Sequence, residues 1–386
     1  MRILHFALSN FYIEGYNYQE NVLPRIHSEM GHEVLMLASC ESFDDRGCLS
    51  SVEPVQYRSV DGFNVIRIPY RKLFRKEPLR RIKTYPKVYQ VISEFKPDIM
   101  YFHGCGSWEM KTVAKYRKEH PNTKLFIDNH ADYHNSARTK LSLIGLHKLI
   151  YKNLIHQALP YTEKILCASI ECMEFCRGVY NIPKEQLEFF PLGGEIISKD
   201  KMEVLRKSVR RKEKITEEDI VFTHSGKFDS RKRTYEIIEA FKTVQNPKFH
   251  LWIIGVLMDD VKDKVLDAIE GDKRIHFLGW KPREELIEYL YATDFYVQPG
   301  GQSVTMQNAM CCGCAVMLYP HKSHKPYVQG NGYYISDVPD MIRVFRDISE
   351  NPQRVSLMKE KSYKIAKEIL DYQKLAERVC IESTKG

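Results

Sequence analysis

The sequence has no apolar run near the roughly 18 residues that a membrane span needs. Its longest, such as LWIIGVLM at 251–258, fall well short. The opening MRILHFALSNFY turns polar within nine residues, without the charged lead and apolar stretch of a secretory signal, so a cytoplasmic location is the default expectation. No G-x-G-x-x-G follows the first apolar run, which disfavours a nicotinamide-dependent dehydrogenase, and the Walker A pattern is absent. No D-x-D metal motif follows an apolar strand, and no paired-carboxylate site of the hydrolase kind is found, so neither a metal nor an organic cofactor is expected. Ten cysteines are present, but they lie inside strand-like and helix-like segments and lack the loop spacings of a disulfide framework. Cys311 and Cys314 form C-x-x-C, and Cys172 and Cys176 sit one helical turn apart. With no second C-x-x-C or histidine pair, small residues packed in helices compete with a zinc site.

What is there fits a two-lobed soluble protein. At 386 residues the chain exceeds the length at which one core stops growing. Hydrophobic residues at 43% and charged residues at 28% allow large cores without a disordered segment. The net charge of +8 is concentrated. YRKLFRKEPLRRIKTYPK, residues 70–87, carries net +7 and includes Arg71, Lys72, Arg75, Lys76, Arg80 and Arg81. Leu73, Phe74, Leu79, Ile82 and Tyr85 interleave with these charges, so the segment suits an anionic membrane surface or a phosphorylated acceptor. A solvated basic loop is the competing reading, and no nucleic-acid motif accompanies the cluster.

Strand-like and helix-like segments alternate along the chain. RILHFAL, HEVLMLAS, DIMYFHG, KLFID and KILCAS read as strands separated by helices such as 19–30, giving a β-α-β pattern and a parallel sheet covered on both faces. A charged stretch interrupts the pattern, and IVFTHSG, HLWIIG, RIHFLG, FYVQPG and AVMLYP then repeat it. The expected fold is α/β, with two Rossmann-like doubly wound domains facing across a cleft. Residues 1–196 form the N-terminal domain and 197–215 a linker. Residues 216–365 form the C-terminal domain, and 366–386 a helix packing back towards the first domain.

Ligands of such sheets lie at the carboxyl ends of the strands. In HSGKFDSRKRT, Gly226 lets a phosphate approach the backbone, and Lys227 and Lys232 supply positive charge; a solvated basic turn competes. In FLGWKP, Gly279 ends a strand and Trp280 is placed to contact a nucleobase, against a packed tryptophan at the core edge. In VQPGGQSVTMQNAM, Gly300 and Gly301 precede a helix start near Ser303 whose unpaired N–H groups suit a diphosphate, with Val304 and Thr305 in its first turn and Asn308 reaching a hydroxyl.

Together these segments resemble a GT-B nucleotide-sugar glycosyltransferase of the retaining family 4 type. RILHFALSN with GHEVLMLAS is similar to the family's first βαβ unit, and DIMYFHG and ILCAS to FFPLGGE resemble its later N-domain strands and linker. SGKFDSRKRTYEIIEAF is similar to its donor-phosphate segment, with Lys227 where an arginine is usual and Lys232 at the lysine. LWIIG, IHFLGW, REELIEYLYATDFYVQPGG and NAMCCGCAVML follow in the family's order. That last stretch normally carries two glutamates; Gly300 and Asn308 stand in their places here. Gln302, Ser303 or Thr305 would take over the sugar contact, the donor would differ, or activity would be lost.

The resemblance also implies that His130, ending LFIDNH, faces the donor sugar, while Asp132, His103, Gly15 and Tyr16 border the acceptor or cleft. It implies retention at the anomeric carbon without a protein nucleophile, a UDP- or GDP-sugar donor as substrate, and a glycan acceptor that can be lipid-linked. A role in surface polysaccharide assembly at the inner membrane face follows as the expectation. A noncatalytic nucleotide-sugar-binding partner and a GT-B-shaped sugar-nucleotide epimerase are the alternatives.

Overall fold

In the computed structural model, residues 1–43, 49–76, 79–300 and 303–384 are described. The chain divides into two compact units: residues 1–191 with 372–386, and residues 192–371. No helix among the described residues is long and apolar enough to cross a membrane.

The first unit is built on an eight-stranded sheet. Its order is Leu187–Phe189, Lys164–Cys167, Lys124–Asn129, Ile99–Phe102, Arg2–Ala7, Glu33–Ser39, Asn64–Ile68 and Gln56–Arg58, with only the last strand antiparallel to its neighbour. The central strands are apolar along their length because both faces are covered. Phe6, Phe102 and Ile127 face one fully buried cluster, while Ile3, Tyr101 and Phe126 face the other. The chain leaves Arg2–Ala7 towards Glu33–Ser39 on one side, and Ile99–Phe102 later pairs on the other side. The crevice at this reversal lies beyond the carboxyl ends of Arg2–Ala7 and Ile99–Phe102, where doubly wound sheets receive ligands.

The helix Tyr372–Thr384 completes this unit. Tyr372, Leu375, Ala376 and Val379 are buried with Val22, Leu23 and Ile26 of the helix Gln19–Glu29. The chain re-enters the first unit at 372, six residues after the expected 366, because the helix Arg354–Ile369 still belongs to the second unit.

The second unit holds a six-stranded parallel sheet in the order Ile275–Gly279, Phe249–Leu257, Ile220–Phe228, Phe295–Gln298, Ala315–Leu318 and Gly332–Tyr334. The stretch expected as a linker is corrected by the structure. Residues Lys199–Lys212 form a helix capped by Ser198, whose hydroxyl accepts from the Lys201 amide, and this helix is part of the second unit. Its charges are used internally. Arg206 and Arg210 reach the carboxylate of Asp294 at 3.0 and 2.5 Å, Lys359 reaches it at 2.7 Å, and the Val221 amide donates to it at 2.9 Å. Burial alone would raise Asp294, but Lys359, Arg206 and Arg210 outweigh it and hold the carboxyl well below its usual range.

Candidate functional site

The described cysteines place no disulfide: nine are buried free thiols, including Cys172, Cys176, Cys311 and Cys314, while Cys48 lies outside the described residues. Polar and charged side chains gather instead at the strand ends of each unit.

In the first unit, a cavity of about 450 Å³ opens at the sheet reversal. Ser9 and Asn10 follow the first strand, Gly104 to Gly106 follow Ile99–Phe102, and Asn129 to Ala131 end Lys124–Asn129. Lys83, Arg81, Asn135, Ser136, His147, Tyr151 and Tyr180 supply the remaining polar wall. The turns are tight: a Cβ on Gly104 would stand 2.8 Å from Ser9 Oγ, and one on Gly106 would meet the Tyr151 ring at 2.9 Å. Lys83 adopts a left-handed φ of 53°, which costs a non-glycine residue about 1 kcal/mol, and its ammonium donates to the Ser9 carbonyl.

His130 lines this cavity with its side chain 28% exposed, and its Nε2 lies 3.5 Å from Asp128 Oδ1. Burial works to lower its pKa, but the Asp128 carboxylate overcomes that and raises it to about 9. His130 is therefore an imidazolium at neutral pH.

Behind Asp128 runs a chain of buried histidines. His27 Nε2 lies 3.1 Å from the Ala376 carbonyl oxygen, which can only accept, so Nε2 carries the hydrogen. Burial keeps His27 neutral, with its pKa lowered to about 4. Its bare Nδ1 accepts from His5 Nε2 at 3.0 Å. His5 is also held neutral, by burial and then by the neighbouring His27 and His103, so its Nδ1 accepts from His103 Nε2 at 3.1 Å. His103 then presents Nδ1 to Asp128 Oδ2 at 2.7 Å, while the Gly104 amide donates to Oδ1 at 2.7 Å. Burial would raise Asp128, but His130 and His103 together hold it well below its usual range. The Asp128 carboxylate is thus flanked by both His103 and His130.

This corrects one expectation. His103 is fully buried and does not line the cavity; its Nδ1 lies 2.7 Å from the Asp128 Oδ2 that sits behind His130. Asp132 is also not a cavity wall: its Oδ1 accepts from the His134 and Asn135 amides at 2.7 Å each, closing a turn. Gly15, with φ 78°, forms an exposed turn, and Tyr16 lines a separate cavity with Phe43, Tyr57 and Arg67. Ser9, Asn10 and Asp128 were not singled out from the sequence, and Lys83 was counted only as one charge of the basic segment 70–87. The only signal was their place directly after, within or beside the apolar runs.

The basic segment does not form one face. Arg80 pairs with Glu41 and Tyr70 rings it, while Arg71 donates to Thr84 Oγ1 at 3.2 Å. Arg81 turns to the cavity, and Lys72, Arg75 and Lys76 are exposed.

In the second unit, Lys227 is exposed at the end of Ile220–Phe228 and Lys232 is half-buried in the turn Ser230–Lys232. Burial lowers Lys232, with Asp229 opposing. Gly226 has φ 145° and opposes Gly255 on the next strand, where a Cβ would lie 1.8 Å from the Gly226 oxygen. Gly300 is explained differently from the expectation of ligand approach. A Cβ there would stand 2.4 Å from the Arg231 oxygen and 3.3 Å from Lys232 Cα, so it is the chain's own turn that needs the room. The same contact brings Lys232 beside the Gly300 backbone. Gly301 and Gln302 lie outside the described residues.

Ser303 caps the helix Val304–Cys311, its hydroxyl accepting from the Thr305 amide at 3.2 Å, with Val304 exposed. Asn308 faces elsewhere, into a separate cavity of about 280 Å³ with Glu195, Arg283 and Glu288. A Cβ on Gly194 would meet its Oδ1 at 3.0 Å. Trp280 follows Gly279, which has φ 66°, at the sheet edge and is 70% exposed, so it is not a packed core-edge residue.

Residues 206–364, which contain this turn, the two lysines and the helix Val304–Cys311, match the family described as Glycosyl transferases group 1. The segment is a group 1 glycosyltransferase domain. Solved structures extend the glycosyltransferase likeness to the fold of the whole chain. Sucrose-phosphate synthase from Thermosynechococcus elongatus is 14% identical with a TM-score of 0.65, covering 98% of this chain and 97% of that one. Alr3699/HepE from Anabaena, in complex with UDP, is 14% identical with a TM-score of 0.65, covering 99% of both. WaaG, a glycosyltransferase involved in lipopolysaccharide biosynthesis, is 15% identical with a TM-score of 0.62, covering 100% of both. No curated protein sequence matches. The architecture is thus GT-B, with two Rossmann-like units.

Proposed function

We propose that the protein transfers a sugar from a nucleotide-diphosphate donor to an acceptor hydroxyl, with retention at the anomeric carbon and without a metal. The observation that carries this reading is the contact of Gly300 with the Arg231–Lys232 turn. It gathers a half-buried ammonium and a helix start at neighbouring strand ends inside the group 1 segment. In this reading Lys232 and Lys227 neutralise charge that builds on the leaving diphosphate, and the amides after Ser303 receive its oxygens. Trp280 offers its exposed ring to the base. UDP is the favoured nucleotide because related folds have been solved with UDP and with UDP-glucose. His130, as an imidazolium, donates to a sugar hydroxyl or to developing negative charge.

The acceptor reading is a glycan in surface polysaccharide or other glycan assembly. WaaG's involvement in lipopolysaccharide biosynthesis supports it, as do exposed Lys72, Arg75 and Lys76 around Leu73, 73% exposed, which suit an anionic membrane surface.

A panel of UDP- and GDP-sugars, scored by thermal shift and by release of nucleoside diphosphate with and without glycan acceptors, tests this. Acceptor-dependent release that Lys232→Ala abolishes is the expected result. Donor turnover without any acceptor would point to an epimerase or hydrolase, and binding without turnover to a noncatalytic partner.

A further inference from the structure

The first unit exposes apolar side chains where a surface helix is ordinarily polar. Leu141 is 83% exposed, more than any other large apolar side chain among the described residues, and Ile144 and Leu149 are 52% and 61% exposed. They lie at the start of and within the helix Ser142–Tyr151, which is wound with hydrogen bonds five residues apart, the Lys152 amide donating to the His147 carbonyl. At that pitch, residues four or five apart share a face. Lys140, Ile144, Lys148 and Leu149 are therefore neighbours on the exposed side, while His147 and Tyr151 are buried and line the cavity.

The charge along this stretch has one sign. From Tyr133 to Thr162 there is no aspartate or glutamate, against Arg138, Lys140, Lys148 and Lys152. Of the acids that bound it, Asp132 closes its own turn and Glu163 meets Arg117 and Lys124 at 3.3 and 3.5 Å. The helix Ile170–Tyr180, which carries Glu171 and Glu174, packs on the buried side, with Phe175 against the His147 ring and the Tyr180 hydroxyl 2.7 Å from His147 Nδ1. The neighbouring segments extend the pattern. Leu79–Ile82 packs against both Ser142–Tyr151 and Lys72–Phe74, and the Tyr151 hydroxyl donates to the Arg81 carbonyl. Leu73 and Leu79 are exposed there, beside exposed Lys72, Arg75 and Lys76. A merely solvated basic surface has no use for five exposed aliphatic side chains on segments that touch, whereas a bilayer interface takes up both kinds of group.

We propose that Leu141, Ile144 and Leu149 enter the outer layer of an anionic lipid bilayer, with Lys140 and Lys148 on its headgroups. This deepens the membrane part of the acceptor reading and rests on it for its purpose, adding the helix that makes the apolar contact. The lysine stems lie along the apolar surface while their ammonium groups stay among the phosphates. A second copy of the chain is the other occupant of such a face, but a symmetric pair would set this basic surface against itself. The buried side of the same helix lines the cavity, so a docked bilayer lies about one helix diameter, roughly 10 Å, from it. That placement suits an acceptor carried by a lipid.

The test is flotation of the full chain with vesicles of phosphatidylcholine alone, or of phosphatidylcholine mixed with phosphatidylglycerol. The expected result is flotation with the anionic mixture only, weakened by rising salt. Leu141→Ser with Ile144→Ser and Leu149→Ser, and separately Lys140→Glu with Lys148→Glu, each weaken vesicle binding at least about tenfold. Thermal midpoints stay unchanged because all five side chains are exposed. Leu357→Ser, at a position 62% exposed in the second unit, leaves flotation as in the wild type. No flotation of the wild type, equal flotation with the neutral vesicles, or binding that survives either set of substitutions overturns the proposal. Concentration-dependent dimerisation that the serine variant removes also overturns it and assigns the face to a second copy. UDP binding is measured without vesicles and should not change in these variants. Its absence from the wild type refutes the glycosyltransferase reading separately, since vesicle binding is read without donor or acceptor.

Discussion

Asp128 and His103 share one hydrogen bond of 2.7 Å, and on its other side the His103 ring meets His5 Nδ1 at 3.1 Å. The Ala376 carbonyl starts the ordering, since it cannot donate, and each neutral imidazole passes the same polarity to the next. The expected outcome in ¹⁵N spectra at pH 7.5 is His27 and His5 as neutral Nε2–H tautomers. An Nδ1–H tautomer of either ring would contradict the ordering.

Asp128→Asn should release His130. Its titration midpoint is expected to fall from about 9 to below the ordinary 6.5, because burial then acts without a counter-charge. A group raised on folding stabilises fully below its unfolded pKa and loses that contribution as pH rises. The wild type should therefore lose stability between about pH 6.5 and 9, on the order of a few kcal/mol at most, and the variant should not. Chemical denaturation across that window reads the difference.

Gly300→Ala and Gly300→Glu both place a Cβ 2.4 Å from the Arg231 oxygen. Both should move the Lys232 turn, weaken UDP binding at least about tenfold and lower the thermal midpoint. A gain of transfer by the glutamate variant alone would show instead that a missing carboxylate, and not the turn, governs this position.

Asp294→Asn leaves Arg206, Arg210 and Lys359 around an uncharged group. Removing one partner of a buried ionic cluster costs about 3–5 kcal/mol, so the second unit should melt roughly 10 °C lower. Because Asp294 is held below its usual range, the stabilisation is present above the unfolded carboxyl pKa of about 3.9 and is lost as pH falls below it. Differential scanning calorimetry from pH 3 to 7 would show the wild type converging on the variant at the acid end.

The strands that position both sites were legible because parallel strands covered on both faces are continuous apolar runs. RILHFAL and IVFTHSG appear as Arg2–Ala7 and Ile220–Phe228. His130 was legible too, as a polar residue directly beyond such a run. His103 stands in an equivalent position after Ile99–Phe102 but is buried, since a run's end does not say which way its last side chain turns. Gly300 signalled a close approach correctly, yet the approaching backbone comes from residue 231, a pairing that only the tertiary fold supplies. The charge of 70–87 was visible, but its division among Glu41, Thr84, Ser9 and the cavity depended on long-range partners. The helix Lys199–Lys212 was obscured by the same density of charge, which Asp294 absorbs from far along the chain.

The return of Tyr372–Thr384 to the first unit sets an order of synthesis. Residues 192–371 leave the ribosome as one uninterrupted piece that holds its own sheet and buried cluster. The earlier-made residues 1–191 must wait through all of that translation with Val22, Leu23 and Ile26 lacking their cover and His27 its acceptor. The unit made first is thus finished last, and a chaperone binding the nascent chain would find its apolar target on the helix Gln19–Glu29.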